Sequence, residues 1–209
     1  MILNKNLQNH PIGIFDSGLG GLTVLKSLQK MLPNESFIYF GDTAHVPYGS
    51  KSKKTVIKYS QNIMDFFLEY KIKAVVIACN TASAVAFNHL KCIYDIPIFD
   101  VVTPSIEYAI QISKNKKIGV VGTLSTIKSN AYTKIFNQLG DDYLIKEVAC
   151  PLFVPLIEEG WSNTIIAKDI AQVYLKEFNK IDIDTLILGC THYPIMANTI
   201  HEILSNDIK

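Results

Sequence analysis

Metal-site spacing is missing from this sequence. Its four cysteines, Cys79, Cys92, Cys150 and Cys190, form no CxxC pair and no Cys/His ligand pattern, so no metal is expected. Thiols kept reduced in the cytoplasm are the simplest setting for them. Charge of one sign is also scarce. The 20 Lys+Arg and 19 Asp+Glu leave a formal net charge of +1, which provides no global field to recruit nucleic acid or an acidic surface. The lysine clusters at 51–54 and 114–117 are short and fall where loops are expected, as solvated charge. No apolar run approaches membrane-spanning length. The N-terminus MILNKNLQNHP has neither the apolar core nor the small-residue site of a signal peptide. Gly18, Gly20 and Gly21 make neither GxGxxG nor a P-loop, since no GK[ST] follows. No cofactor is expected from these motifs.

What is present is alternation. Apolar, β-rich runs at 12–15, 36–40, 74–79 and 97–102 are separated by segments of helical period at 20–32, 55–70 and 81–94. This order predicts a parallel sheet covered by helices. A helix at 104–113 follows, and the pattern restarts. Strands are expected at 117–122, 143–149 and 184–190, and helices at 125–140, 163–180 and from about Tyr193 to Leu204. IGIFDS at 12–17 matches IGVVGT at 118–123, and VVIACNT at 75–81 matches LILGCTH at 186–192. Two matches in the same order at nearly the same offset predict two pseudo-symmetric, doubly wound α/β lobes. The expected domains are 1–102 and 103–209, with the last helix a candidate to pack back on the first lobe.

Open parallel sheets bind ligands beyond the carboxyl ends of their strands. Those ends carry Asp16 and Ser17, then Asp42 with Tyr48 and Gly49 in the same loop, then Cys79, Asn80 and Thr81. In the second lobe they carry Thr123, Cys150, and Cys190 with Thr191 and His192. Cys79 and Cys190 each stand just before an expected helix start, where unpaired N–H groups attract carboxylates and lower thiol pKa values. The expected site is a carboxylate holder flanked by two activated thiols, placed where the lobes meet. Two such groups suit inversion of a stereocentre: one base removes a proton from one face and one acid returns a proton to the other. A hydrolase or amidase using Cys79 alone is a rival, but it leaves Cys190 unexplained. Cys92, on an apolar helix pattern, and Cys150 are expected to be packing residues. Asp16 has a site role or caps its turn. Trp161 is expected to pack or to make a lobe contact. His45 lies in a site loop without an assigned role.

Five segments, GIFDSGLGGLTVL, GDTAHVPYG, VIACNTAS, CPLFVPLIEEG and GCTHYP, resemble those of glutamate racemases, within the aspartate/glutamate racemase superfamily. They run in order from residue 12 to about 196. The resemblance implies cofactor-independent interconversion of L- and D-glutamate, supplying D-glutamate for peptidoglycan, and a site between two α/β lobes. It implies that Cys79 deprotonates the D-enantiomer and Cys190 the L-enantiomer, assisted by Asp16 and His192 respectively. Asp16, Ser17, Tyr48, Gly49, Asn80, Thr81, Thr191 and His192 are then the holders of the amino acid, and Thr123 joins them by its position. Asp42 and Glu158 match acidic positions with a less direct role. A racemase for aspartate or another amino acid, and a glutamate-binding homologue with weakened turnover, stay open as alternatives, as does a homodimer. Family members typically continue for some tens of residues past GCTHYP, in a segment that returns to the first lobe. The resemblance therefore implies a C-terminally short member, with stability, dimer contacts and turnover all open to that difference.

Overall fold

The run at 12–15, IGIF, is apolar on both faces of its pleat, and a strand of that kind is stable only inside a sheet covered on both sides. With the following residue it forms β1 (Ile12–Asp16), in which Ile14, Phe15 and Asp16 are fully buried. The computed structural model describes residues 9–140, 142–204 and 207–209. The chain divides between Val101 and Val102 into two compact units, each a parallel sheet with flanking helices.

In the first lobe β1 is followed by α1 (Leu22–Met31), β2 (Phe37–Gly41), α2 (Lys53–Glu69), β3 (Ala74–Ile77), α3 (Asn80–Ile93) and β4 (Ile98–Phe99). The strand order is β2-β1-β3-β4, parallel throughout. Ser52 starts α2 by accepting the Thr55 N–H at 3.1 Å, which satisfies one of the orphan donors of the first turn. The apolar face of α2 buries Val56, Ile63, Met64 and Phe67 in a core with Phe15, Val75, Ile77 and Leu90. Gly13 on β1 leaves room for the Phe67 ring, whose carbons lie 3.0–3.1 Å from where a Cβ would stand.

The second lobe comprises α4 (Val102–Ile112), β5 (Lys117–Gly122), α5 (Leu124–Ser129), α6 (Ala131–Leu139), β6 (Leu144–Ala149), α7 (Phe153–Glu158), α8 (Ile165–Leu175), β7 (Thr185–Gly189) and α9 (Ala197–Ile203). Its order is β6-β5-β7, again parallel. The internal repeat extends to single hydrogen bonds. Val75 N–H reaches Pro97 O at 2.9 Å in the first lobe, and Leu186 N–H reaches Lys209 O at 2.8 Å in the second. The last helix, α9, lies against α8, and its Ile200 joins the second lobe's core with Leu175, Tyr193 and Met196.

Several elements differ from expectation. The helix expected at 125–140 is two helices, because Asn130 takes the left-handed conformation (φ 54°) that asparagine tolerates best among non-glycine residues. The strand expected at 97–102 pairs only over Ile98–Phe99, since α4 begins at Val102 with Pro104 in its first turn. Helix α7 is additional. Its Pro155 sits in the first turn, where a missing N–H removes no intrahelical bond. Cys92 is exposed, on the outward side of α3, rather than packed. Trp161 is about half exposed. Among the described residues, no helix is long and apolar enough to cross a membrane.

Candidate active site

The carboxyl end of the first sheet is held together by its own register. Asp42 N–H donates to Asp16 O at 3.0 Å, and Ala78 N–H donates to Phe15 O at 2.8 Å. These bonds place Asp16, Asp42 and Cys79 side by side at the ends of β1, β2 and β3. Asp16 is fully buried, and its Oδ2 accepts the N–H groups of Gly18 and Gly21, each at 3.1 Å. The carboxylate therefore does cap its turn, and it also lies close enough to Cys79 to repel a thiolate.

Cys79 is the N-cap of α3. Its Sγ accepts the Ala82 N–H at 3.4 Å and donates to Ser17 Oγ at 3.6 Å. Asn80 and Thr81, expected before the helix, form its first turn and are buried. The expectation of a lowered thiol pKa is corrected here. Burial, and then the Asp16 charge, push Cys79 up to about 11, against the weaker opposing bonds from Ala82 and Ser17. A helix terminus stabilises a thiolate only while water or other donors also solvate it, and here desolvation is the larger effect.

Tyr48 is buried in the 3-10 turn Tyr48–Ser50, with Gly49 beside it. Its Oη donates to Asp42 Oδ2 at 2.6 Å. Burial, and then that bond, hold the Tyr48 hydroxyl well above the usual phenol range. Tyr39, absent from the expected set, donates from Oη to Gly18 O at 2.8 Å and braces the glycine turn. Its sequence context, an apolar strand, gave no sign of that contact across 21 positions.

In the second lobe, Thr123 follows the end of β5 and caps α5 by accepting the Thr126 N–H at 3.2 Å. Cys150 N–H donates to Gly122 O at 2.9 Å, and Gly122 pairs with Gly189 on the other side. The ends of β6, β5 and β7 thus bring Cys150, Thr123 and Cys190 to one edge. Cys150 is fully buried, and burial pushes its thiol up to about 12. Cys190 is buried, followed by Thr191 and His192, which are half-buried. Its setting is not the α-helix start that was expected: a 3-10 turn, Tyr193–Met196, intervenes before α9. His192 instead connects two groups. Its Nδ1 lies 3.9 Å from Cys190 Sγ, and its Nε2 lies 3.4 Å from Glu158 Oε1 at the end of α7. Cys190 and Glu158 thus flank the two ring nitrogens of His192.

The raised thiols also fix a pH dependence of folding. An unfolded cysteine titrates near about 8.5, whereas Cys79 and Cys150 are pushed up to about 11 and about 12. Between those values the native state holds protons that the unfolded chain has lost. The stability these two thiols contribute is therefore fully present below about pH 8.5 and is lost as pH rises toward 11–12. The raised Tyr39 and Tyr48 act in the same direction above about pH 10. Urea midpoints at pH 7.5 and 10.5 should show the decline, with a shallower slope for Cys79→Ser.

Among the described residues, no group of three or more His, Cys, Asp or Glu side chains is placed to hold a metal ion. Comparison with known proteins adds a second line of observation. The family described as Asp/Glu/Hydantoin racemase matches residues 12–207. A glutamate racemase of a Sulfurihydrogenibium species is 53% identical over 191 residues, spanning 91% of this chain and 74% of that protein. The structure of glutamate racemase isoform RacE1 from Bacillus anthracis superposes with a TM-score of 0.92 at 38% identity, covering 97% of this chain and 76% of that one. The glutamate racemase of Francisella tularensis in complex with D-glutamate gives a TM-score of 0.88 at 42% identity, covering 94% and 74%.

Proposed function

The chain belongs to the Asp/Glu/Hydantoin racemase family, and from that premise we propose that it is a glutamate racemase whose acid/base pair is Cys79 and Cys190. The observation that carries this reading is the repeated placement of a buried thiol at the carboxyl end of the third strand of each lobe's repeat, β3 and β7. One thiolate removes the Cα proton of glutamate. The electron pair spreads into the substrate carboxylate, and the opposite thiol returns a proton to the other face. The enzyme is left with the roles of the two sulfurs exchanged, ready for the opposite enantiomer.

The high pKa of Cys79 fits this chemistry in one respect and opposes it in another. It makes the thiolate a stronger base but a rarer species at neutral pH. The ammonium group of bound glutamate, brought next to the sulfur, stabilises the anion and restores its population. In this reading Asp16, Ser17, Tyr48, Gly49, Asn80, Thr81, Thr123, Thr191 and His192 are the residues that hold the amino acid. Asp16 assists Cys79 and His192 assists Cys190. The chemistry uses no cofactor. D-Glutamate for peptidoglycan is the product that matters to the cell, and cytoplasmic reducing conditions keep both thiols usable. Self-association as a homodimer is part of this reading.

Incubation of the purified protein with L-glutamate in deuterated water tests it. D-Glutamate should accumulate with deuterium at Cα. If neither product nor label forms, the reading is wrong. Aspartate in parallel should give a much lower rate.

A further inference from the structure

The loop between β2 and α2 holds a cluster that the proton transfer itself does not use. Asp42 is buried, and its carboxylate already accepts Tyr48 Oη at 2.6 Å. His45 Nδ1 lies 2.8 Å from Oδ1 and 3.0 Å from Oδ2 of the same carboxylate. The His45 ring stacks on Tyr59 of α2, with centroids 4.1 Å apart and planes at 28°. Tyr59 in turn lies 5.7 Å from the Tyr48 ring. A carboxylate only accepts, so Nδ1 carries the hydrogen in this pair.

We propose that His45 is a positioning residue for substrate binding: its Nδ1–H fixes the Asp42 carboxylate, and that carboxylate fixes Tyr48 and the Gly49 backbone beside it. The substrate named here rests on the glutamate racemase reading. A typical surface ion pair contributes little, because water competes for both partners. This one differs in three ways. The Asp42 side chain is only 9% exposed, so its oxygens depend on protein donors. The imidazole meets both oxygens at once. The ring is also clamped by Tyr59, so little rotamer freedom is lost when the bond forms. Tyr48, with its hydroxyl tied to Asp42, is the fully buried end of the cluster, and the 45% exposed His45 side chain is its rim. A residue acting through Asp42 and Tyr48 affects binding of ground state and transition state alike, and so raises KM rather than lowering kcat.

Two substitutions separate the hydrogen bond from the stack. His45→Phe keeps the ring on Tyr59 and removes the donor. His45→Asn loses the ring and puts an amide N–H near the place of Nδ1. His45→Phe should raise KM for glutamate about fivefold with kcat within about twofold, and His45→Asn should return KM to within about twofold of the parent. Amide hydrogen exchange gives a readout independent of turnover. The Lys51 N–H, bonded to Tyr48 O at 3.0 Å, should exchange several-fold faster in His45→Phe and at the parent rate in His45→Asn. An unchanged KM and unchanged Lys51 exchange in His45→Phe would overturn the proposal. So would equal defects in both variants, which would assign the effect to the stack. If the parent protein does not turn over glutamate, the racemase reading fails on its own and the exchange result still decides the role of His45.

Discussion

Cys79→Ser and Cys190→Ser are each expected to lower glutamate racemisation by at least about a thousandfold, the scale of a lost general acid or base. The fold should survive both changes. Serine is close to isosteric, and at position 79 its hydroxyl can accept the Ala82 N–H that Sγ now accepts. What serine cannot do is carry an anion at neutral pH. The informative result is the residual chemistry. Each variant keeps one thiol, which can still lift a proton from one face and return a solvent proton to the same face. Each should therefore wash label into one enantiomer without inverting it: L-glutamate for Cys79→Ser and D-glutamate for Cys190→Ser. Proton NMR in deuterated water, started from each enantiomer, resolves the two. Full racemisation by Cys190→Ser would sink the two-thiol mechanism and revive a role for Cys79 alone.

The second large effect concerns Gly21. Its backbone conformation is ordinary, with φ −66°, so left-handed freedom is not the reason for glycine here. Close approach is. A Cβ would stand 2.6 Å from Asp16 Cβ, 2.9 Å from Ala78 Cβ and 3.0 Å from Tyr39 Oη. None of the three can swing aside as a flexible side-chain end would. Two are Cβ atoms fixed by the backbone of β1 and of the turn before Cys79, and the third is tied to Gly18 O. Gly21→Ala should destabilise the first lobe by about 3 kcal/mol, the upper part of the range for overpacking. Turnover should fall with it, because the Asp16 carboxylate loses its seat on the Gly21 N–H. Gly18→Ala is the matched control. Its Cβ would meet only Val46 Cγ2 at 3.5 Å, and the expected loss is under about 1 kcal/mol. Urea denaturation of both variants checks the contrast, and equal stabilities would remove the argument.

The strands were legible because each is a short apolar run bounded by turn residues, and because the chain repeats itself. IGIFDS and IGVVGT became β1 and β5, central in their sheets. What stayed illegible falls into two kinds. Local breaks depend on single residues whose preferences are weak: Asn130 could have continued a helix, and Pro155 would ordinarily argue against one. Long-range partners are invisible to periodicity. Tyr39 reads as a packing residue until the fold brings its hydroxyl to Gly18. The His45–Asp42 pair is local, three positions apart, but it depends on the turn geometry of its loop, which no hydrophobic period encodes. Cys92 shows the limit of pattern in the other direction. Apolar spacing placed it inward, but the face it occupies on α3 is outside. The thiol electrostatics depart from the sequence-based expectation for a related reason. Position before a helix is written in the sequence, whereas the depth of burial that dominates the Cys79 pKa comes from how β1, β3 and α3 pack.

That Cys79 sulfur accepts the Ala82 N–H has a practical corollary. A hydrogen bond to an anion is stronger than one to its neutral form, so the amide resonance of Ala82 should move downfield whenever the sulfur loses its proton. The backbone thus carries an intrinsic indicator, adjacent to the reacting atom and needing no chemical tag. Recorded during steady-state turnover, its position would read the fraction of molecules waiting with that sulfur ionised, and hence which direction of the interconversion the population is poised to run.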